Sequence, residues 1–259
     1  MKVLNIGQAV RYGFKTFLSH IGFLIGYGCI AGILYYVSAI LLIYTLYMQG
    51  VECIGLGVQA AIISLVKYIS ASDTINPIVV LILIGQIIIG CIVSIWCIFA
   101  FTNVSLRIRD TGSVSLKDFY SFIPELPALF LISCIVGFIT CCGLMAFIIP
   151  GIYWLARSCF SLFVLLDEEM DSWPSIKKSL AITKGHEWQL IGLGCVIFII
   201  VLIPVQASVK LMQLCEPLTD NSVYCLIPTT LMVLIVVWMV EPLVSLIAVD
   251  AYRQLNPKR

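Results

Sequence analysis

Long apolar runs alternate along this chain with short charged segments. Ile21–Met48 and Thr74–Leu106 carry no charge, Leu126–Leu166 holds only Arg157, Trp188–Val209 is uncharged, and Ser222–Val249 holds only Glu241. A membrane-crossing helix needs about 20 apolar residues, because its backbone polar groups must be satisfied within the segment. Leu126–Leu166 is about twice that length, so it folds into two helices with a tight hairpin near Cys141-Cys142-Gly143. The pattern predicts an all-α polytopic membrane helix bundle with six transmembrane helices.

A short amphipathic segment precedes three of the six spans. In the first, Ile6, Val10, Gly13, Phe14 and Phe17 share one helical face, opposite Gln8, Arg11 and Lys15. In the second, Leu116, Phe119, Tyr120 and Ile123 oppose Lys117 and Asp118. In the third, Ile176 and Leu180 oppose Lys177, Lys178 and Lys184. Each is too short and too charged to span, and each suits the headgroup boundary with its lysines towards anionic lipid. The chain therefore reads as three units of an interfacial helix plus a two-span hairpin, roughly residues 1–105, 106–170 and 171–259. "SHIGFLIGYGCI" from Ser19 also matches "GHEWQLIGLGCV" from Gly185, which aligns His20 with His186 and points to internal duplication.

Basic residues set the orientation. Lys2, Arg11, Lys15, Arg107, Arg109, Lys117, Lys177, Lys178, Lys184, Arg253, Lys258 and Arg259 fall on one side, against Lys67 and Lys210 on the other. Such a bias places both termini in the cytoplasm. The first apolar run is too long for a cleaved signal peptide and reads as a retained span. Val51–Ser70 is apolar but interrupted by Glu52 and Lys67. As a seventh span it would put Arg107, Arg109 and Lys117 outside, so it reads as an outer helix lying on the membrane or dipping into it.

Composition agrees. The 259 residues are 61% apolar and 11% charged, against roughly 45–50% and roughly 25% in soluble domains. So few charges cannot cover a soluble globule, which excludes a cytosolic enzyme, a nucleic-acid binder and a disordered chain. The net charge of +1 argues for no acidic or basic partner. Membrane lipids are the expected partners.

The two charges within spans are the most informative side chains. Arg157 precedes Asp167 by ten residues and Glu241 precedes Asp250 by nine. At 1.5 Å per residue both lie roughly 14–15 Å inside the same boundary, so an Arg157–Glu241 ion pair is geometrically accessible. An unpaired charge at that depth costs at least ~2.5–3.5 kcal/mol. Such a pair either lines a polar pathway or fixes helix register. Pro150-Gly151 precedes Arg157 and Pro242 follows Glu241; a proline kink beside a carboxylate is ordinary in membrane helices and is also how transporters build sites.

His20 and His186 sit at the cytoplasmic starts of spans, where a polar ring at headgroup level is expected. His186-Glu187 lacks the second histidine of the zinc-protease motif. Asp167, Glu168, Glu169 and Asp171 read as a solvated loop leading into a helix, with Asp171 or Ser172 as cap and Pro174 in the first turn; cation binding is the alternative. Most cysteines lie inside spans as small apolar residues. Cys215 and Cys225 fall in or near the last outer loop, where an oxidising compartment would allow a disulfide. Gly22 and Gly26 suit close helix approach. No residue pattern marks a catalytic centre, a cofactor site or a metal site.

The stretch "IPGIYWLARSCFSLFVLLDEEMDSWPSIKKSLAITKGHEWQLIGL" from Ile149, with "LRIRDTGSVSLKDFY" from Leu106 and "AYRQL" from Ala251, carries a likeness. It resembles an uncharacterised bacterial six-helix membrane-protein family related to the membrane domain of glycerophosphoryl diester phosphodiesterase. The resemblance implies a six-helix membrane domain. It does not imply the enzyme's activity, which belongs to a separate soluble barrel of about 250 residues that nothing after Val249 could form. The expected function is a non-enzymatic scaffold or carrier for lipids or small hydrophobic molecules in the bacterial cytoplasmic (inner) membrane. The alternative is an intramembrane enzyme acting on lipid headgroups at the cytoplasmic face.

Overall fold

A computed structural model describes residues 4–24, 26, 77–215 and 240–257. Most of the Ile21–Met48 run, the Val51–Ser70 stretch and Cys225 lie outside the described residues. Every regular element among the described residues is helical. Helix α1 is Ile6–Ser19, α2 is Pro77–Thr111, α3 is Leu126–Ala146, α4 is Ile148–Ser158, α5 is Ser161–Glu168, α6 is Ser172–Ile182 and α7 is Glu187–Cys215. A last helix, α8, covers residues 240–255, and two short 3-10 turns, Leu116–Phe119 and Ile123–Glu125, connect α2 to α3. Among the described residues, three helical segments are long and apolar enough to cross a membrane: Leu116–Ala146, Ile148–Glu168 and Glu187–Pro204.

The chain divides into two compact units. The second, Gly22–Cys97 with Ile203–Met239, contains the start of α2 and the end of α7 among the described residues. The first, Met1–Ile21, Ile98–Leu202 and Val240–Arg259, holds the elements described below. Within it the end of α2 is buried through Phe99, Phe101, Val104 and Ile108. Gly112, at φ +70, takes the left-handed position after α2, with its N–H on the Ile108 carbonyl.

The segment after Gly112 is not one amphipathic α-helix. Two separate 3-10 turns take its place, and Phe119 ends the first while Phe122 immediately precedes the second. Both phenylalanines are buried, edge-on to Phe101 and Phe99 respectively, whereas Leu116, Tyr120 and Ile123 are exposed. In α1 the expected face is partly kept: Gly13 and Phe17 are buried and Phe14 is exposed. Asn5 caps α1 by accepting from the Gln8 N–H at 3.0 Å. Gly13 lies flush against Ile247 of α8, where no Cβ would fit.

The hairpin between α3 and α4 turns at Phe147, four residues beyond Gly143. Phe147 is extended (φ −157, ψ 134) and separates the two helices alone. Gly143 stays helical and serves a different purpose. A Cβ on it would come within 2.9 Å of the Gly151 Cα, and one on Gly151 within 2.6 Å of the Leu144 nitrogen. The two glycines let the helix backbones touch. Pro150 falls in the first turn of α4, where its missing N–H has no helical acceptor anyway.

Candidate functional site

The α4–α5 break creates the first polar site. Helical bonding stops at Cys159 and Phe160, which leaves the Arg157 carbonyl without its usual partner. Helix α6 supplies the replacement. Its buried side is a hydroxyl stripe at helical spacing, Ser172, Ser175 and Ser179, continued by Thr183. Ser179 Oγ donates to the Arg157 carbonyl at 2.9 Å and Thr183 Oγ1 at 3.1 Å. Ser172 Oγ donates to the Ala128 carbonyl of α3 at 2.9 Å. Ile176 is buried among these hydroxyls and Leu180 is partly buried, so α6 docks on the protein through the face that sequence patterning assigns to lipid.

The Arg157 side chain returns the contact. Its Nη2 donates to the Leu180 carbonyl near the end of α6, and its guanidinium lies 5.7 Å from the centre of the Tyr153 ring. Its ionic partner is Glu187, with Nε to Oε1 at 3.9 Å. Among the described residues no ion pair joins Arg157 to Glu241. Glu241 is half-buried on α8, beside the buried Pro242, and makes no ion pair among the described residues. Arg157 Nε and Trp154 Nε1, one turn apart on α4, are both buried and have no hydrogen-bond partner among the described residues. A buried donor left unmade costs about 1–3 kcal/mol.

The second polar site is closed. Arg253 on α8 donates from Nε to Asp110 Oδ1 at 2.9 Å and from Nη2 to Asp110 Oδ2 at 2.7 Å. It also donates from Nη1 and Nη2 to the two oxygens of Asp167, both at 2.6 Å. Bidentate pairing of this kind is the strongest that arginine makes. Burial works against the arginine's charge, but its bonds to Asp167 and Asp110 outweigh burial and raise its pKa above the ordinary range. Asp167 thus sits in a buried ion cluster rather than a solvated loop; its side chain is 5% exposed.

The cluster extends outward. Tyr252 OH donates to Asp167 at 3.0 Å and accepts from Asn256 Nδ2 at 2.8 Å, while its ring packs on Phe160 and Phe163. Asn256 and Lys178 both reach Glu168. Arg109 lies over the Tyr12 ring at 4.7 Å, and its Nη2 is 3.1 Å from Asp250 Oδ1, an ion pair without hydrogen-bond alignment. Gln254 donates to Asp250 and accepts from the Asn5 N–H. The ends of α1, α2, α5 and α8 are thereby tied together. Glu169 ends α5 in the left-handed region (φ 51) and Asp171 flanks the start of α6 in extended geometry.

The histidines are held locally. His20 closes α1 and its Nδ1 lies 2.9 Å from Ser19 Oγ and 3.1 Å from the Thr16 carbonyl. His186 Nδ1 lies 2.9 Å from Gln189 Oε1, which also accepts from the Leu4 N–H. Among the described residues no three histidine, cysteine or acidic side chains gather at metal-binding distance. The Asp110–Asp167–Arg253 cluster is what sequence reasoning misses, since Asp167 marks only a boundary and loop there, Arg253 only the orientation, and Asp110 has no part. The one signal in reach was that the segments "RIRD", "LLDE" and "AYRQ" each place a charge at the end of an apolar run. The chain matches no family model, no curated protein and no solved structure.

Proposed function

We propose that this chain is a non-enzymatic integral membrane protein, a scaffold or carrier for lipids or small hydrophobic molecules. It crosses the bacterial cytoplasmic membrane six times in three interfacial-helix-plus-hairpin units, with both termini in the cytoplasm. The observation that carries the reading is Arg157, a cation within the apolar α3–α4 hairpin whose hydrogen-bonding capacity is only partly used among the described residues. Intramembrane charges of this kind mark a polar cavity or a ligand path. The outward surface supports lipid as the solvent: Met145, Ile149 and Phe138 are 89%, 81% and 72% exposed. Trp188 and Trp173 are also exposed, the latter with Lys177 Nζ 5.6 Å over its ring, as interfacial anchors would be. The likeness to the six-helix membrane family agrees with this reading.

Purification in mild detergent followed by lipid extraction tests the function. A scaffold or carrier retains lipid or a small hydrophobic molecule stoichiometrically through repeated washing. Complete loss of bound molecules from a still-folded protein overturns the reading. Cysteine labelling at residues 107–117 tests the orientation, which requires access from the cytoplasmic side only.

A further inference from the structure

We infer that the exposed side of α1 binds an anionic phospholipid of the cytoplasmic leaflet, with the phosphate at Arg11 and Lys15 and the acyl chains along Phe14 and Leu18. The inference rests on the lipid-binding reading above and names a lipid class and a place for it. The four residues form one stripe. Residues three and four apart are neighbours on a helix surface, positions 11, 14, 15 and 18 follow that spacing, and all four are exposed. The opposite side is spent on the protein: Ala9, Gly13, Thr16 and Phe17 are buried, with Gly13 against Ile247 of α8. Patterning along the chain groups Phe14 with Phe17 and sets the cations opposite both. In the structure Phe14 instead shares the outer side with Arg11 and Lys15.

Contacts along α1 give its depth. The Asn5 N–H donates to Gln254 Oε1 at 2.7 Å near the end of α8. The Tyr12 ring lies under Arg109, which pairs with Asp250, and Gly13 meets Ile247. Helix α1 thus runs antiparallel to α8, and each advances roughly 10–12 Å over these residues. With the C-terminus in the cytoplasm, as proposed above, Arg11 lies near the level at which α8 leaves the membrane, and Phe14 and Leu18 lie progressively deeper. A phospholipid has the same order, charge outside and hydrocarbon inside. Side chains on a helix lean towards its N-terminus, here the headgroup side, so Lys15 can carry its charge up to the same phosphate.

The charge is complementary as well. Helix α1 contains no acidic residue, and no ion pair among the described residues takes up Arg11 or Lys15. The negative surface of the cytoplasmic leaflet attracts such cations. All four side chains open onto the protein surface, so a lipid reaches them by lateral diffusion.

The experiment is native mass spectrometry of the full-length, delipidated protein, which compares phosphatidylglycerol with phosphatidylcholine of the same acyl chains and uses inorganic phosphate as competitor. Wild type should hold phosphatidylglycerol about tenfold more tightly than phosphatidylcholine and keep it against millimolar phosphate. Arg11→Gln with Lys15→Gln should erase that preference and leave phosphatidylcholine binding as it was. Arg11→Lys with Lys15→Arg, which keeps both charges, should retain it. Each single glutamine variant should lower the preference about threefold, and these decide should the double variant fail to fold. Leu18→Ser should weaken both lipids alike. An unchanged preference in the glutamine variants overturns the inference, as does equal affinity of wild type for the two lipids or unchanged binding in Leu18→Ser; the general lipid-binding reading stands in each case. Displacement of the lipid by free phosphate reassigns the stripe to a small anion and also overturns it. Failure of wild type to hold any lipid overturns both.

Discussion

Two arginines in the same compact unit, one buried and one half-buried, have opposite fates. Arg253 spends four hydrogen bonds on two carboxylates and is 7% exposed. Arg157 spends one on a carbonyl, lies 3.9 Å from the Glu187 carboxylate, and has a buried Nε without an acceptor among the described residues. A fully satisfied buried charge is a structural joint, because any ligand would have to displace bonds already made. A partly satisfied one is a weaker joint. The contrast separates the roles: Arg253 holds the helix ends together, whereas Arg157 links α4 to the end of α6 and to Glu187 at the start of α7.

The comparison is broken most severely at Arg253. Arg253→Met takes four hydrogen bonds away from Asp110 and Asp167, and removing one side of a buried pair costs about 3–5 kcal/mol. Thermal unfolding in detergent should show a large loss of stability, which adding Asp110→Asn and Asp167→Asn partly restores. An equally stable single variant would mean the cluster is solvated. Gly151→Leu comes next. Its side chain has no room against Leu144, and overpacking of a tight contact costs about 1–3 kcal/mol; the same assay reads it, against a negligible change at the open Gly137.

The joint between α4 and α6 gives a comparable or smaller effect. Ser179→Ala with Thr183→Val removes both hydroxyls from the Arg157 carbonyl, and a buried acceptor left unpaired costs about 1–3 kcal/mol. Either single variant should cost less, because the other hydroxyl remains, and a double-mutant cycle measures that redundancy. The smallest effect is pH-dependent. Burial first, then the neighbouring Asp167, holds the Tyr252 phenol above the ordinary tyrosine range. Below about pH 10 the phenol is neutral in folded and unfolded chains alike, so its contribution is complete there. As pH rises further the unfolded chain releases its proton first, and stability falls. Tyr252→Phe should flatten that alkaline fall, seen as a smaller drop in melting temperature between pH 9 and pH 11.

Much of the fold was legible because it follows from solvent and local chemistry. The apolar runs at α3, α4–α5 and α7, the Pro150-Gly151 start of α4, and Asp171 before α6 can all be read along the chain. The Phe147 turn could not, since no glycine or proline marks it; the nearby Gly143 was needed for close helix contact instead. The Arg253 clamp was hidden for another reason. Its three residues lie far apart in sequence, at positions 110, 167 and 253, and only tertiary folding joins them. The hydroxyl stripe of α6 was visible in principle, because Ser172, Ser175, Ser179 and Thr183 recur at helical spacing. A search for apolar faces passes over it.

The most direct test of the two-arginine contrast is the melting temperature in detergent of Arg253→Gln and Arg157→Gln, each against wild type. Arg253→Gln should lose much more than Arg157→Gln, because it gives up four hydrogen bonds to two carboxylates where Arg157 gives up one to a carbonyl and a looser ion pair. An equal loss in the two variants, or a larger one in Arg157→Gln, would contradict the division of roles.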